Sequence, residues 1–193
     1  MARSQLIAAL VVAVMGVGLV AARFSRSDEV QSSSAAPVAG PAPDRLGPAR
    51  ELTDLDGWLQ TEATDFSHFD GQVRIVQFWT FACSNCKATL PHLQGIYQRW
   101  HPQGVEIIGV HAPELDFESK PDAIAAAAAD LGVTWPIALD TNKTNFRAWQ
   151  PGSRFWPRVF VIDQNGEVRF DHIGEGAYDE LESTVAYLVE NGP

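Results

Sequence analysis

The chain has 193 residues and a formal net charge of −10, from 14 Lys and Arg against 24 Asp and Glu. This length fits one domain with additional segments. The first 26 residues contain three arginines and no acidic residue, so the remainder carries 11 − 24 = −13. A body this acidic lacks the basic surface that binding to nucleic acid requires, which excludes nucleic acid as a partner.

The N-terminal segment begins with an uninterrupted run of small and apolar residues, from 6 to 22, behind a short head that contains Arg3. The run is long for the core of a signal peptide and just long enough for a tilted membrane helix. We interpret residues 1–23 as a membrane anchor or signal sequence, with the uncleaved anchor favoured. Both interpretations predict export, and the anchor predicts a single-pass protein of the cell membrane with its folded domain on the extracytoplasmic (periplasmic) side.

Residues 24–50 are rich in Ser, Ala, Pro and Gly and show no apolar periodicity, which is typical of a flexible linker. The folded domain is therefore expected to occupy residues 51–193. Its first element is predicted to be a short strand or turn at 55–59. A buried strand is predicted at 73–79, where Val, Ile, Phe and Trp lie between Gly71 and the first cysteine.

The two cysteines of the chain, Cys83 and Cys86, are three positions apart. They lie directly after that strand and before a helical stripe of apolar residues that contains Pro91. Cys83 is therefore expected at the first turn of a helix, where free N–H groups and the helix dipole stabilise a thiolate. Cys86 would lie one turn further along, within reach of the first sulfur, so the pair is suited to reversible disulfide formation.

Other interpretations of Cys-x-x-Cys fit less well. A zinc site needs four ligands, and the five histidines show no zinc-finger spacing relative to the one cysteine pair. Covalent haem attachment needs a histidine after the second cysteine, where this chain has Lys87. The sequence therefore predicts neither a bound metal nor a cofactor.

Strands and helices alternate along the rest of the chain. Strands are predicted at 105–110, 136–139, 159–162 and 168–173, and helices at 121–131, at 144–149 and from 178 onwards. The last two strands flank Asp-Gln-Asn-Gly at 163–166, a strong hairpin signal. This order predicts an α/β fold with a central mixed β-sheet and helices on both faces.

The motifs, taken in order, resemble thioredoxin-like proteins of the TlpA/ResA type, and most of all the thioredoxin-like domains associated with DipZ proteins. The resemblance covers roughly residues 54–190. It rests on Phe-Trp-Thr at 78–80, Cys-Ser-Asn-Cys at 83–86, Pro91, Gly-Val-His-Ala-Pro-Glu at 109–114, Trp-Pro-Ile-Ala-Leu-Asp at 135–140, Phe-Trp-Pro at 155–157 and Gly-Glu-Gly at 174–176. It implies a thioredoxin fold, an extracytoplasmic location and exchange with protein thiols and disulfides.

The same resemblance implies roles for further residues. Pro157 would be in cis and would press its loop against the redox pair, where it leaves backbone groups free to bind an extended substrate. Trp156 is the candidate for an exposed substrate contact, with packing under the active-site loop as the alternative. Gln77 occupies the place of the buried aspartate of general thioredoxins. Glu114 matches a loop in which the family carries a functional glutamate, and it is the candidate proton shuttle for Cys86. A carboxyl buried near thiols would have a raised pKa suited to that role.

The predicted function is an extracytoplasmic thiol–disulfide oxidoreductase in which Cys83 is the nucleophile and Cys86 the resolving thiol. Ser84 and Asn85 include no histidine that would strongly stabilise the thiolate, which favours a reductant. Its electrons would come from a membrane thiol donor of the DipZ/CcdA type. Two alternatives stay open: a peroxiredoxin-like peroxide reductase that uses the same pair, and a non-catalytic metal-binding module such as a copper chaperone.

Overall fold

The computed structural model describes residues 40–193. The predicted anchor or signal sequence, and residues 24–39 of the predicted linker, lie outside the described residues. Within the described part of the chain, no helix is both long enough and apolar enough to cross a membrane.

Within residues 40–193, six strands form one mixed sheet, as predicted. They are β1 (Gly57–Leu59), β2 (Val73–Trp79), β3 (Val105–His111), β4 (Ile137–Leu139), β5 (Arg158–Ile162) and β6 (Val168–Ile173). Their spatial order is β1-β4-β3-β2-β5-β6. Strands β2, β3 and β4 are parallel, whereas β1, β5 and β6 each pair antiparallel with a neighbour. Strand β2 is an apolar run with two polar residues because both of its faces are covered.

In the described part of the chain, four α-helices cover the two faces of the sheet. They are α1 (Ser84–Trp100), α2 (Pro121–Asp130), α3 (Thr144–Trp149) and α4 (Tyr178–Asn191). Alternate side chains of β2 enter two separate cores. Ile75 and Trp79 pack with residues of α1, α2 and α4, while Val76 and Phe78 pack with α3 and the 3-10 helix Phe66–Phe69. The predicted arrangement of helices on both faces is confirmed.

Three loops meet at one edge of this sheet. Because β2 and β3 are parallel and Trp79 pairs with His111, the segments that follow these strands begin side by side. Strand β5 runs in the opposite direction, and Arg158 at its start pairs with Phe78 near the end of β2. The loops at 80–83, 112–120 and 150–157 are therefore brought together, and they carry the predicted site residues other than Cys86, which lies in the first turn of α1.

The folded domain begins before residue 51, where the sequence analysis placed its start. The Leu46 N–H donates to the Val168 carbonyl, the Val168 N–H to the Gly47 carbonyl and the Ala49 N–H to the Gly166 carbonyl, each at 2.8 Å. Residues 43–49, the N-terminal strap, thus lie along the free edge of β6. Main-chain hydrogen bonds to a sheet edge require no apolar periodicity, so a Pro- and Gly-rich segment gave no sign of this docking.

Candidate active site

The two sulfurs differ in accessibility. Cys83 is the N-cap residue of α1 and is half-buried, whereas Cys86 in the first turn is fully buried. The Cys86 N–H donates to the Cys83 sulfur at 3.3 Å, and both thiols are free. Burial, followed by the hydrogen bond with Cys83, raises the pKa of the Cys86 thiol far above its ordinary value. An accessible sulfur at a helix N-terminus is therefore paired with a buried thiol that retains its proton.

The loop before β5 lies against Cys83. The Trp156–Pro157 peptide bond is cis, as predicted. The Trp156 carbonyl oxygen is 4.0 Å from the Cys83 sulfur. The indole of Trp156 stacks on Phe146 with ring centroids 4.1 Å apart, and its Nε1 donates to the Ala112 carbonyl at 2.9 Å. Trp156 therefore presents its backbone to the redox pair, while its side chain packs within the neighbouring loops and is only partly exposed.

An apolar rim, consisting of Leu115, Phe117 and Phe155, lies in the two loops next to the Cys83 loop. These side chains are 51%, 55% and 53% exposed, respectively. Phe117 packs on Phe81, two residues before Cys83, with ring centroids 5.8 Å apart. These residues could not be recognised from the sequence, because exposed apolar side chains among polar neighbours show no periodic pattern.

Glu114 is exposed, so the expectation that it is buried near the thiols is wrong. Its negative charge is the smallest of the influences that act on the pKa of Cys86. The buried carboxylate of this loop belongs instead to Glu118, which is 0% exposed and which the sequence analysis missed. An acid in a polar loop normally faces water, so the sequence gave no signal of this burial. The role of Glu114 in proton transfer stays a prediction.

The Glu118 carboxylate joins two of the loops. Its Oε1 accepts hydrogen bonds from the Thr80 hydroxyl and from the Ala82 N–H at 3.0 Å. Its Oε2 accepts from the N–H groups of Glu114 at 2.8 Å and Leu115 at 2.7 Å. Burial raises the pKa of Glu118, but hydrogen bonds from Thr80 and from the backbone outweigh it and leave the pKa below its ordinary value. The carboxylate is therefore ionised at neutral pH.

His111 completes this network as a neutral side chain. Its Nε2 is 3.4 Å from the Thr80 hydroxyl oxygen. Because the Thr80 hydroxyl donates to Glu118, its oxygen can only accept from His111, which places the proton on Nε2. Burial lowers the pKa of His111 to about 4, against the attraction of the Glu118 charge.

The inner side of Cys86 carries a neutral pair. The buried Gln77 Nε2 donates to the Thr89 hydroxyl at 2.7 Å, and that hydroxyl donates to the Cys86 carbonyl at 2.7 Å. Neither side chain exchanges protons near neutral pH. The position that the resemblance assigns to a buried aspartate therefore supplies no base here.

This combination of sheet, dithiol helix and cis-proline loop is that of thioredoxin-like proteins. A thioredoxin-like protein in its oxidised form superimposes with a TM-score of 0.65 at 24% identity, over 77% of this chain and 98% of that one. A thiol-disulfide isomerase from Corynebacterium glutamicum superimposes with a TM-score of 0.63 at 22% identity, over 76% and 98%. The predicted thioredoxin fold is confirmed.

The chain belongs to the AhpC/TSA family, whose pattern it matches over residues 43–171. It is 39% identical to protein DipZ of Mycobacterium tuberculosis over 154 residues, which are 77% of this chain and 21% of DipZ. It is 28% identical to the thiol-disulfide oxidoreductase ResA of Bacillus thuringiensis over 131 residues, 68% of this chain and 69% of ResA. The predicted resemblance to both is confirmed, although the chain spans only about a fifth of the length of DipZ.

Proposed function

We propose that this chain is a thiol–disulfide oxidoreductase that exchanges disulfides with protein partners through Cys83 and Cys86. The observation that carries the proposal is the contrast between the two sulfurs. Cys83 is accessible at the N-terminus of α1, and Cys86 is buried one turn along the same helix. The relative ResA is named for this activity, and the thiol-disulfide isomerase of Corynebacterium glutamicum has the same fold as this chain.

The reaction proceeds in two exchanges. The Cys83 thiolate attacks a partner disulfide, forming a mixed disulfide and releasing one partner thiolate. Cys86 then loses its proton and attacks the Cys83 sulfur, which forms the 83–86 disulfide and releases the second partner thiolate. Two electrons pass from the dithiol to the partner, and the two released thiolates take up the two protons given up by the cysteines.

The proton of Cys86 has to leave before the second exchange, since its pKa is raised by burial. The neutral side chain of Gln77 on the inner side cannot accept it. Glu114 is the proposed acceptor, because it is exposed to solvent while its charge still acts on Cys86. Its exchange with bulk water would complete the transfer.

The partner chain would bind at the cis-proline loop. The Trp156 carbonyl beside Cys83 is a hydrogen-bond acceptor for an extended segment, and Pro157 fixes the direction of that loop. The apolar rim provides contact area for apolar side chains next to the partner's cysteine. This geometry supports Trp156 and Pro157 as substrate-binding residues.

The proposal includes a location and an electron source. An anchor at residues 6–22 would hold the domain on the extracytoplasmic side of the cell membrane, where it would act as a reductant supplied by a membrane thiol donor of the DipZ/CcdA type. The similarity to DipZ and the absence of histidine between the cysteines support this assignment.

Fractionation of cells tests the anchor. Full-length protein should stay in the membrane fraction after a carbonate wash. A soluble mature form that begins near Arg23 would contradict the anchor.

The test of the activity is the reduction of insulin with dithiothreitol as electron donor. Wild-type protein should accelerate insulin precipitation, and Cys83→Ser should not.

The reduction potential of the 83–86 pair tests the direction of electron flow. A value of about −270 mV would support a reductant, whereas a value of about −120 mV would indicate an oxidant. Turnover of hydrogen peroxide without insulin reduction would favour the peroxide reductase instead, and copper retention without insulin reduction would favour the metal-binding module.

A further inference from the structure

The loop that carries the nucleophile is held by a side chain outside the dithiol helix. Glu118 accepts hydrogen bonds from Thr80 and Ala82, which are three positions and one position before Cys83. Two main-chain hydrogen bonds also hold this loop: the Cys83 N–H donates to the Thr80 carbonyl at 3.3 Å, and the Cys83 carbonyl accepts from the Lys87 N–H of α1 at 3.1 Å. Glu118 therefore fixes the backbone that leads into Cys83, while α1 holds Cys83 from the other side.

The same carboxylate also fixes part of the surface that a partner would contact. Its second oxygen binds the N–H groups of Glu114 and Leu115 and so shapes the turn that leaves Leu115 and Phe117 exposed. Phe117 in turn packs on Phe81 of the nucleophile loop. One buried group thus sets the nucleophile loop and the apolar rim relative to each other.

The charge of this group has no cationic partner in the part of the chain that the structure describes. None of the ion pairs there involves Glu118, and the neighbouring His111 is neutral. Burying an unpaired carboxylate is costly, and here four donors offset that cost. A glutamine of the same shape could not replace it, since its amide group would face N–H donors on one side or the other.

We propose, resting on the function above, that Glu118 is a positioning residue for thiol–disulfide exchange, which aligns Cys83 with the partner disulfide through Thr80 and Ala82. A small reagent needs only an accessible thiolate, whereas a protein disulfide also needs the loop, the Trp156 carbonyl and the rim in register. The two kinds of reaction should therefore respond differently to the loss of Glu118.

The test compares Glu118→Gln with wild type in two assays. Insulin reduction should fall at least about tenfold, within the loss of up to about 10²-fold that a 1 Å misplacement of a reacting group can cause. The plateau rate of Cys83 alkylation by iodoacetamide, taken from a full pH profile, should stay within about twofold of wild type. Asp116→Asn is the matched control, since it removes one exposed charge from the same loop and should change neither rate.

Thr80 provides a second, independent pair of variants. Thr80→Val removes the hydroxyl and should reproduce the selective loss of insulin reduction. Thr80→Ser keeps the hydroxyl and should reduce insulin at the wild-type rate. This pair carries the test if Glu118→Gln does not fold. Wild-type insulin reduction in both Glu118→Gln and Thr80→Val would overturn the inference, as would losses of insulin reduction and of alkylation in equal proportion. If the wild-type protein itself fails to reduce insulin, the proposed function fails rather than the role of Glu118.

Discussion

Two buried carboxylates lie in different regions of this molecule and differ in the groups that bind them. Asp163, in the β5–β6 turn, accepts hydrogen bonds from the N–H groups of Asn165 at 2.9 Å and Glu167 at 3.0 Å. It also accepts one from the Arg169 Nη1 at 2.8 Å, with both charged side chains almost fully buried. Glu118, at the active-site edge, accepts four hydrogen bonds but forms no ion pair with any residue in 40–193.

The difference shows what each region does. Arg169 also donates to the Pro43 carbonyl, at 2.6 Å from Nη2 and 3.2 Å from Nε, so the neutralised pair fastens the N-terminal strap to the β5–β6 hairpin. That arrangement serves stability. At the active-site edge, Glu118 lies beside a neutral His111 without a cation among the described residues, and two of the hydrogen bonds it accepts come from the nucleophile loop.

Breaking the Asp163–Arg169 pair should have the largest effect on stability. Arg169→Leu would leave a buried carboxylate without its cation, which costs about 3–5 kcal/mol of unfolding free energy. Urea denaturation measures this loss, and Asp163→Asn added to the same chain should recover part of it. The alkylation rate of Cys83 in the folded fraction should not change. A loss of unfolding free energy below about 1 kcal/mol would show that the pair does not hold the N-terminal strap to the β5–β6 hairpin.

The buried His111 at the active-site edge should make the stability of the folded protein depend on pH. His111 has a pKa of about 4 in the folded protein because it is buried, against an ordinary value of 6.5. The unfolded chain therefore binds the proton first as the pH falls, so stability is complete above about pH 6.5 and declines until about pH 4. The difference corresponds to about 3 kcal/mol. His111→Gln should flatten this part of the profile and His68→Gln, at an exposed position, should not; equal profiles for all three proteins would contradict the burial of a neutral His111.

The exposed carboxylate of Asp70 should contribute much less to stability than the buried carboxylate of Asp163. Asp70 pairs with Arg74 at 2.8 Å, but the Asp70 side chain is 65% exposed while Arg74 is 5% exposed. Water can replace an exposed carboxylate, so Asp70→Asn should cost no more than about 1 kcal/mol. The urea assay used for Arg169→Leu measures it under the same conditions. A cost equal to that of Arg169→Leu would mean that burial is not what separates the pairs.

Local patterns in the sequence predicted a large part of this structure. The strands at β2 and β3, the position of Cys83 at a helix start and the β5–β6 hairpin all follow from neighbouring residues. The cis bond at Pro157 came from the resemblance alone.

The missed features depend on contacts between distant segments. Glu118 meets Thr80 across 38 positions, and Arg169 meets Pro43 across 126. Glu114 and Glu118 are both loop glutamates, and the sequence does not show which of them turns inward. Glu118 does so because donors in the nucleophile loop bind its carboxylate. The inward packing of the Trp156 indole on Phe146 likewise needs the fold before it can be recognised.

We expect exchange to begin at Cys83 and to be completed by Cys86, and covalent trapping distinguishes this order from the reverse. Cys86→Ser and Cys83→Ser should each be produced as full-length protein in the native cell, and partners attached by disulfide bonds counted before and after dithiothreitol. We predict that Cys86→Ser carries partners that dithiothreitol releases, because the mixed disulfide can no longer be resolved, and that Cys83→Ser carries few or none. Equal trapping by the two variants, or more by Cys83→Ser, would contradict the account.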